Sequence, residues 1–328
     1  MITIKRYEVA DSHQWDAFVG DSKNGTFLFR RGYMDYHSDR FTDHSLLFFD
    51  ERNCLIALLP GNEVNDGIKE YHSHQGLTYG GFILNPKNKA EEVLMLFDET
   101  IKYLKDAGFA QWHYKQMPTI YHRCPSQEDE YALWRNSATI ECCLLSVSVP
   151  LQQTFNAPKV EGCRKRGKNK ALENGYQVEE TQDLELFWPI MVENLRQKYA
   201  SAPIHTLQEM KLLQRRFPRQ IRCFVVQKDG KPEAGAIVYL ANEETVHLQY
   251  AHATEKGKKE RTLDLLYLFL IEKFRDEGYH YFDFGTSNEN HGQYLNTTLI
   301  ANKEGFGARG IAYKTFCIPL KQATIGKL

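Results

Sequence analysis

From Ala90 to Pro118 the chain reads AEEVLMLFDETIKYLKDAGFAQWHYKQMP, with apolar residues every three or four positions as far as Gly108 and alternating aromatic residues after it. A period near 3.6 that gives way to a period of two predicts an amphipathic helix, a glycine cap and a strand. The pattern returns from Glu260 to Asn288 as ERTLDLLYLFLIEKFRDEGYHYFDFGTSN, where Gly278 lies 170 residues after Gly108. At that offset Leu96 matches Leu266, Ile101 matches Ile271, Asp106 matches Asp276 and Phe109 matches Tyr279, without a gap. A repeat of this length implies one folding unit used twice.

The neighbouring patterns repeat as well. SLLFFDERNCLIALLP reads as a hairpin turning near Glu51–Asn53, followed by a strand in GLTYGGFIL. IRCFVVQKDGKPEAGAIVYL turns at Asp229-Gly230, a strong hairpin signal, and is followed by a strand in ETVHLQYAHAT. Helices are predicted before each meander, at Ser12–Val19 and at Leu184–Tyr199, the latter with Phe187, Ile190, Met191, Leu195 and Tyr199 on one face. A further helix and strand close each half: EDEYALWRNSA with IECCLLSVSV, and GQYLNTTLIANKEG with IAYKTFCI. Each half thus reads β-α-βββ-α-β-α-β, an α/β (α+β) unit with a mixed sheet. The expected domains are 1–150 and 159–328, joined by PLQQTFNAP at Pro150–Pro158, where proline and polar residues break both periods.

Composition narrows the partners. A net charge of −1 over 328 residues provides no global attraction for nucleic acid or a membrane surface. Seven cysteines without a CxxC pair support neither a disulfide framework nor a zinc knuckle. The start lacks the apolar run of a signal peptide, and the richest apolar stretch, LDLLYLFLIEKF, carries Asp264 and Glu272. The expectation is a cytoplasmic protein with no membrane insertion. His72 and His74 in YHSHQG sit at strand spacing for one face, but two histidines without a third ligand make no metal site, so none is expected.

The densest polar segment is DFGTSNENHGQYLNTTLIANKEGFGARG, Asp283 to Gly310. A strand ending in Asp283-Phe284-Gly285, a polar loop, a helix and KEGFG at Lys303–Gly307 resemble the "DfG … FKxxFG" ending of the FemAB (Fem/Mur ligase-like) family. The element order of each half resembles the GNAT acyltransferase fold, and two such domains in tandem resemble that family over most of residues 1–318. Motif-level likeness is confined to Gln249–Gly310. Asn302 stands where the family often has Phe, and the long helical arm of some members is missing. The resemblance implies an enzyme that moves an acyl or aminoacyl group from an activated donor to a primary amine. Well-known members use aminoacyl-tRNA and a peptidoglycan precursor, and others of the wider fold use acyl-CoA.

Such a transfer must align donor and acceptor, keep the amine neutral and stabilise an oxyanion. It needs no covalent nucleophile. Lys303, matched by the motif, could polarise a carbonyl or hold a phosphate, or it could be a helix-end lysine favoured by the dipole. Asp283, at the carboxyl end of its strand, could accept a proton from the amine or simply cap the strand. Ser287, Asn288, Glu289 and Asn290 offer acceptors to a substrate, although turn chemistry alone favours Ser and Asn there. His291 is a further general-base candidate. Tyr250 is expected on one strand face with Val246, Leu248 and His252, as a wall residue rather than a catalyst. In KVEGCRKRGKNK, Arg164 and Arg166 could grip a phosphate, whereas Gly162 and Gly167 argue against a rigid helix.

The donor is left open between acyl-CoA and aminoacyl-tRNA, as a co-substrate rather than a tightly bound cofactor. The second half keeps only Gly257 of the usual [QR]xxGx[GA] pyrophosphate loop, and the first half has no glycine there, which disfavours a standard CoA grip. The acceptor amine is expected in a cleft between the domains, and tRNA is a possible partner. The alternative is a non-catalytic module binding a nucleotide-linked or peptidic ligand. A general RNA-binding role is disfavoured by the balanced charge.

Overall fold

The structure is a computed structural model that describes residues 2–152, 157–199 and 201–320. The side chain of Tyr199 and residues 153–156 of the expected join lie outside the described residues. The chain forms two compact units, Met1–Leu144 with Ala312–Leu328, and Leu145–Ile311. The long strands of 139–150 and 309–319 cross these divisions, so the last strand of each sequence repeat ends in the other repeat's unit.

In the first unit, β1 (Thr3–Arg6) leads through α1 (Ser12–Asp21) and α2 (Arg31–Met34) to β2 (Thr42–Asp43), β3 (Leu46–Phe49) and β4 (Leu55–Leu59). Next come β5 (Asn62–Asp66), β6 (Ile68–His72), β7 (Ile83–Leu84), α3 (Ala90–Asp106), β8 (Gln111–Lys115), α4 (Glu128–Arg135) and β9 (Thr139–Pro150). Strands β1, β3, β4 and β7 make one antiparallel set. In the other set β2, β5 and β6 are antiparallel, and β6 then pairs parallel with β8. The third strand expected over GLTYGGFIL shrinks to Ile83–Leu84, and a β5–β6 hairpin that the pattern did not predict appears before it. Pro60-Gly61 interrupts the ladder after Leu59, and Gly67 (φ 81°) turns the hairpin.

The helix of the first repeat behaves as its spacing requires. Val93, Leu96, Phe97, Thr100 and Leu104 of α3 are buried, Glu92 accepts from the Lys89 amide at 3.0 Å, and Gly108 takes φ 82° past the C-terminus.

The second unit begins with α5 (Gly162–Glu173), β10 (Gln177–Thr181), α6 (Trp188–Tyr199) and α7 (Leu207–Arg216). A meander of β11 (Ile221–Lys228), β12 (Lys231–Leu240) and β13 (Thr245–Ala253) follows, then α8 (Glu255–Lys259), α9 (Thr262–Asp276) and β14 (Tyr281–Thr286). A small hairpin of β15 (Asn288–Glu289) and β16 (Tyr294–Leu295), α10 (Thr297–Glu304) and β17 (Arg309–Pro319) complete it. Its sheet runs β10-β11-β12-β13-β14 and is completed by residues 146–150 of β9. In the first unit β17 pairs with β8 over Thr315–Pro319.

Asp229 and Gly230, both at positive φ, form the expected tight turn between β11 and β12. Leu265, Leu266, Leu268, Leu270, Ile271 and Phe274 of α9 cover the sheet, each worth about 1.5–3 kcal/mol of burial. Contrary to the expectation from its glycines, Gly162–Glu173 is a helix. Gly167 serves contact between helices, since a β-carbon there would lie 2.0 Å from Asp264 Oδ2 on α9.

Candidate active site

Two neighbouring strands of the second unit part company. β13 pairs with β14 in parallel only from Thr245–His247 to Tyr281–Asp283, yet β13 continues to Ala253 and β14 to Thr286. Both strands are distorted where they diverge. Against β12, Ile237 faces Tyr250 and Val238 faces Leu248, so Gln249 is an extra residue that bends β13. On β14 the register with β9 breaks between Asp283 and Thr286, at Gly285 with φ 73°. The gap lies at the carboxyl ends of a parallel pair, where open sheets hold ligands.

A cavity of about 460 Å³ occupies it. Leu248–Ala253 line it from β13, and Phe284 lines it from β14. Leu299, Asn302 and Lys303 line it from α10, at the spacing that brings side chains onto one helix face. Arg164 of α5, Lys258 of α8 and the start of α9 close another side.

The bulge corrects the expected strand face. Val246 and Leu248 join the core under α9, but beyond Gln249 the alternation inverts. Tyr250 meets Trp188 edge-on and His252 stacks on Phe187, both near α6, while Ala251 turns to the core. The Tyr250 hydroxyl is 2.7 Å from His205 Nδ1, and burial raises its pKa.

The lining is cationic, with Arg164, Lys258, Arg261 and Lys303 against the single carboxylate Asp264. Asp264 is 4% exposed. Its Oδ1 accepts from Arg164 Nη1 at 3.3 Å, and its Oδ2 lies 2.5 Å from Arg261 Nη2. Burial raises the Asp264 pKa, and the two guanidinium groups oppose that shift. Arg164 also lies over the Phe306 ring at 5.0 Å, and with its amide oriented to suit the surrounding donors Asn302 accepts from Arg164 Nη2 at 3.2 Å. Arg261 holds a left-handed φ of 65° just before α9, so the positive end of that helix dipole lies at the same side. An anion entering here meets positive charge already held in place by the fold.

Lys303 is in the cavity wall rather than on a solvated helix end. Its ammonium donates to Gly285 O at 2.8 Å, Thr286 O at 3.0 Å and Ser287 Oγ at 2.9 Å, which uses all three of its protons. Burial lowers its pKa to about 8, against the pull of Asp283. Asp283 is fully buried and does not line the cavity. Its Oδ1 accepts from Ser146 Oγ at 2.5 Å and from the Gly285 amide at 3.3 Å, and its Oδ2 is 2.8 Å from His247 Nδ1. These bonds tie the diverging end of β14 to its neighbours.

The polar loop keeps its acceptors for itself. Asn288 accepts from the Leu145 amide at 2.6 Å and donates to Gly292 O at 3.3 Å, while Glu289 accepts from Asn296 at 2.9 Å. Asn290 and His291 are exposed, with φ of 50° and 51°. None of Ser287, Asn288, Glu289, Asn290 or His291 lines the cavity, and Arg166 is exposed outside it. Of the candidate residues, Lys303, Tyr250 and Arg164 come together there. Sequence reasoning missed Lys258, Arg261, Asp264 and Asn302. The available signals were the one-face spacing of Leu299, Asn302 and Lys303 and the Arg261–Asp264 pair at the start of α9.

Residues 162–293 match the family model described as an acetyltransferase (GNAT) domain. Among solved structures, the chain is similar to FemX at 11% identity, over 96% of this chain and 97% of that one, with a TM-score of 0.71. It is similar to L-PGS from Bacillus licheniformis at 13% identity, covering 97% and 96% of the two chains, with a TM-score of 0.62. A tandem GNAT protein from the clavulanic acid biosynthesis pathway matches at 11% identity, covering 98% and 100%, with a TM-score of 0.52. No curated protein sequence matches. No helix among the described residues is long and apolar enough to cross a membrane. The chain thus shares the fold of FemX and of the tandem GNAT protein, and residues 162–293 match the model of a GNAT acetyltransferase domain.

Proposed function

We propose that the second unit transfers an acyl or aminoacyl group from an activated, phosphate-bearing donor to a primary amine. The observation that carries this reading is the parting of β13 from β14 around a cavity walled by four cations and one carboxylate. The donor's phosphates sit against Arg164, Lys258 and Arg261, whose charge is worth most in a partly desolvated site. Its acyl chain runs along the edge of β13 past Leu248, where the strand no longer pairs with β14. The acceptor amine attacks the donor carbonyl, a C–N bond forms and the C–S or C–O bond to the carrier breaks. The proton lost by the amine balances the one taken up by the departing thiol or hydroxyl. Lys303 contributes positive charge and holds Gly285 and Thr286 in the wall, since its three donors already have partners.

Acyl-CoA and aminoacyl-tRNA share this donor chemistry, and a cell-wall precursor amine is one acceptor that fits the fold resemblance. One observation favours the alternative of a non-catalytic binding module. Asp283, the expected proton acceptor, and Lys303, the expected carbonyl- or phosphate-binding cation, are both engaged by protein groups. Incubation with labelled acyl-CoA or aminoacyl-tRNA and a panel of amines separates the two. Amide product that depends on Arg164 and Arg261 supports transfer. Saturable donor binding without product under any acceptor would leave only the binding module.

A further inference from the structure

The first unit carries a second cluster of chemistry, unrelated to the cavity above. Glu70 and His72 stand two apart on β6, and the parallel register with β8 sets His72 beside His113. The two imidazoles stack at 4.3 Å with 8° between their planes. One ligand atom from each of Glu70, His72 and His113 lies within 4.8 Å of the others, the one such group among the described residues.

The protons make the cluster informative. His113 is 8% exposed, and its Nδ1 is 2.7 Å from Glu141 Oε2, so Nδ1 holds the proton and donates it to that carboxylate. Its Nε2 is buried without a hydrogen-bond partner, 3.7 Å from Glu70 Oε2, and in the neutral ring it carries a lone pair. His72 Nε2 lies 3.2 Å from the same oxygen. A lone pair facing a carboxylate is repulsive, and either a proton or a metal ion between them removes the repulsion. A carboxylate behind a histidine is the arrangement that fixes a ligating tautomer and raises its basicity. Tetrahedral ligands about 2.0–2.1 Å from a zinc ion are roughly 3.3 Å apart, so the two histidine–Glu70 spacings are within a few tenths of an ångström of that value, and one of the two near-parallel imidazoles must tilt for both nitrogens to face one ion.

We propose that Glu70, His72 and His113 bind one divalent ion of the Zn²⁺ class. Glu141 is the positioning residue for His113, and the fourth coordination place is open to water or an outside ligand. Two imidazoles select against Mg²⁺ and Ca²⁺, which prefer all-oxygen sites. His72 and Glu70 keep 17% and 22% side-chain exposure, which gives the ion a way in. His74, which the sequence pairs with His72, takes no part. It is buried beyond the end of β6, its ring stacks on His37 at 5.5 Å, and burial lowers its pKa to about 3.

The test is a titration of chelator-stripped, reduced full-length protein with Co²⁺ alone, read by visible absorption and followed by Zn²⁺ competition. One saturable ion per chain is expected, with d–d bands and no thiolate charge-transfer band. His72→Ala and His113→Ala should each weaken binding by about 100-fold or more, and Glu141→Gln by about 10–100-fold. The exposed His13→Ala should change nothing. Thermal melts of the metal-free variants report folding, and should His113→Ala not fold, His72→Ala and Glu70→Gln decide. Absence of saturable binding, a thiolate charge-transfer band, or binding that survives His72→Ala and Glu70→Gln would overturn the proposal.

Discussion

Replacing Lys303 with Met tests how the wall of the cavity is built. A lysine at a solvated helix end tolerates such a change within about 0.5 kcal/mol. Lys303 instead donates three bonds, to Gly285 O, Thr286 O and the buried Ser287 hydroxyl. Met retains most of the apolar stem, so the loss is polar. Stripping a charged donor from acceptors inside the protein costs about 1.5–3 kcal/mol, and about 2–3 kcal/mol is expected at pH 7. The pH dependence adds a second reading. The Lys303 pKa falls from 10.5 to about 8 on folding, so between these values the unfolded chain holds a proton that the folded one has shed. This linkage increment is full above the unfolded value and is lost as pH falls through about 8, so at pH 7 the hydrogen bonds alone set the cost. The cost of Lys303→Met should grow by about 2 kcal/mol from pH 7.5 to 9.5. Urea unfolding of both proteins at the two pH values measures this. A cost below about 0.5 kcal/mol at pH 7 would refute the assigned hydrogen bonds. A cost that stays flat or shrinks with pH would refute the lowered pKa.

Further expectations follow from other contacts. Arg261→Ala should weaken binding of a phosphate-bearing donor by about 10-fold or more and flatten its salt dependence, as titrations at two ionic strengths would show. Asp283→Asn should lower stability by about 1–3 kcal/mol in chemical unfolding, because the carboxylate joins Ser146 and His247 inside the protein. Donor affinity should change little in that variant, since Asp283 does not line the cavity. Gly167→Ala should cost about 1–3 kcal/mol by forcing α5 away from Asp264, and a melting temperature equal to wild type would contradict the contact.

Much of the architecture was legible because it rests on local periodicity. The helix at Ala90–Asp106, its glycine stop and the turn at Asp229-Gly230 each follow from residues within a few positions. The failures are non-local. Gly167 reads as a helix breaker until α9 is seen to press against it. The bulge at Gln249 exists only relative to β12, yet it reverses which side Tyr250 and His252 face. The site was legible in part for the same reason. The motif located Lys303 but not its three acceptors, and it gave no sign that Asp283 would be spent on Ser146 and His247. Nothing in the local sequence marks Arg261 and Lys258, because only the fold brings them beside Arg164. His113 was invisible as a partner of His72 because the strand pairing that joins them is made by tertiary structure.

The claim that the parted strands of the second unit hold the donor is tested most directly by a binding measurement with the cavity open and plugged. Leu299 lines the cavity and is 39% exposed, so Leu299→Trp should obstruct the space without disturbing the core. Dissociation constants for acyl-CoA and for aminoacyl-tRNA would be measured on wild type and on this variant, with unfolding monitored in parallel. Saturable binding of one donor class by wild type, weakened about 10-fold or more in an equally stable Leu299→Trp protein, is the predicted result. Binding of neither class, or equal affinity with the cavity plugged, would contradict it.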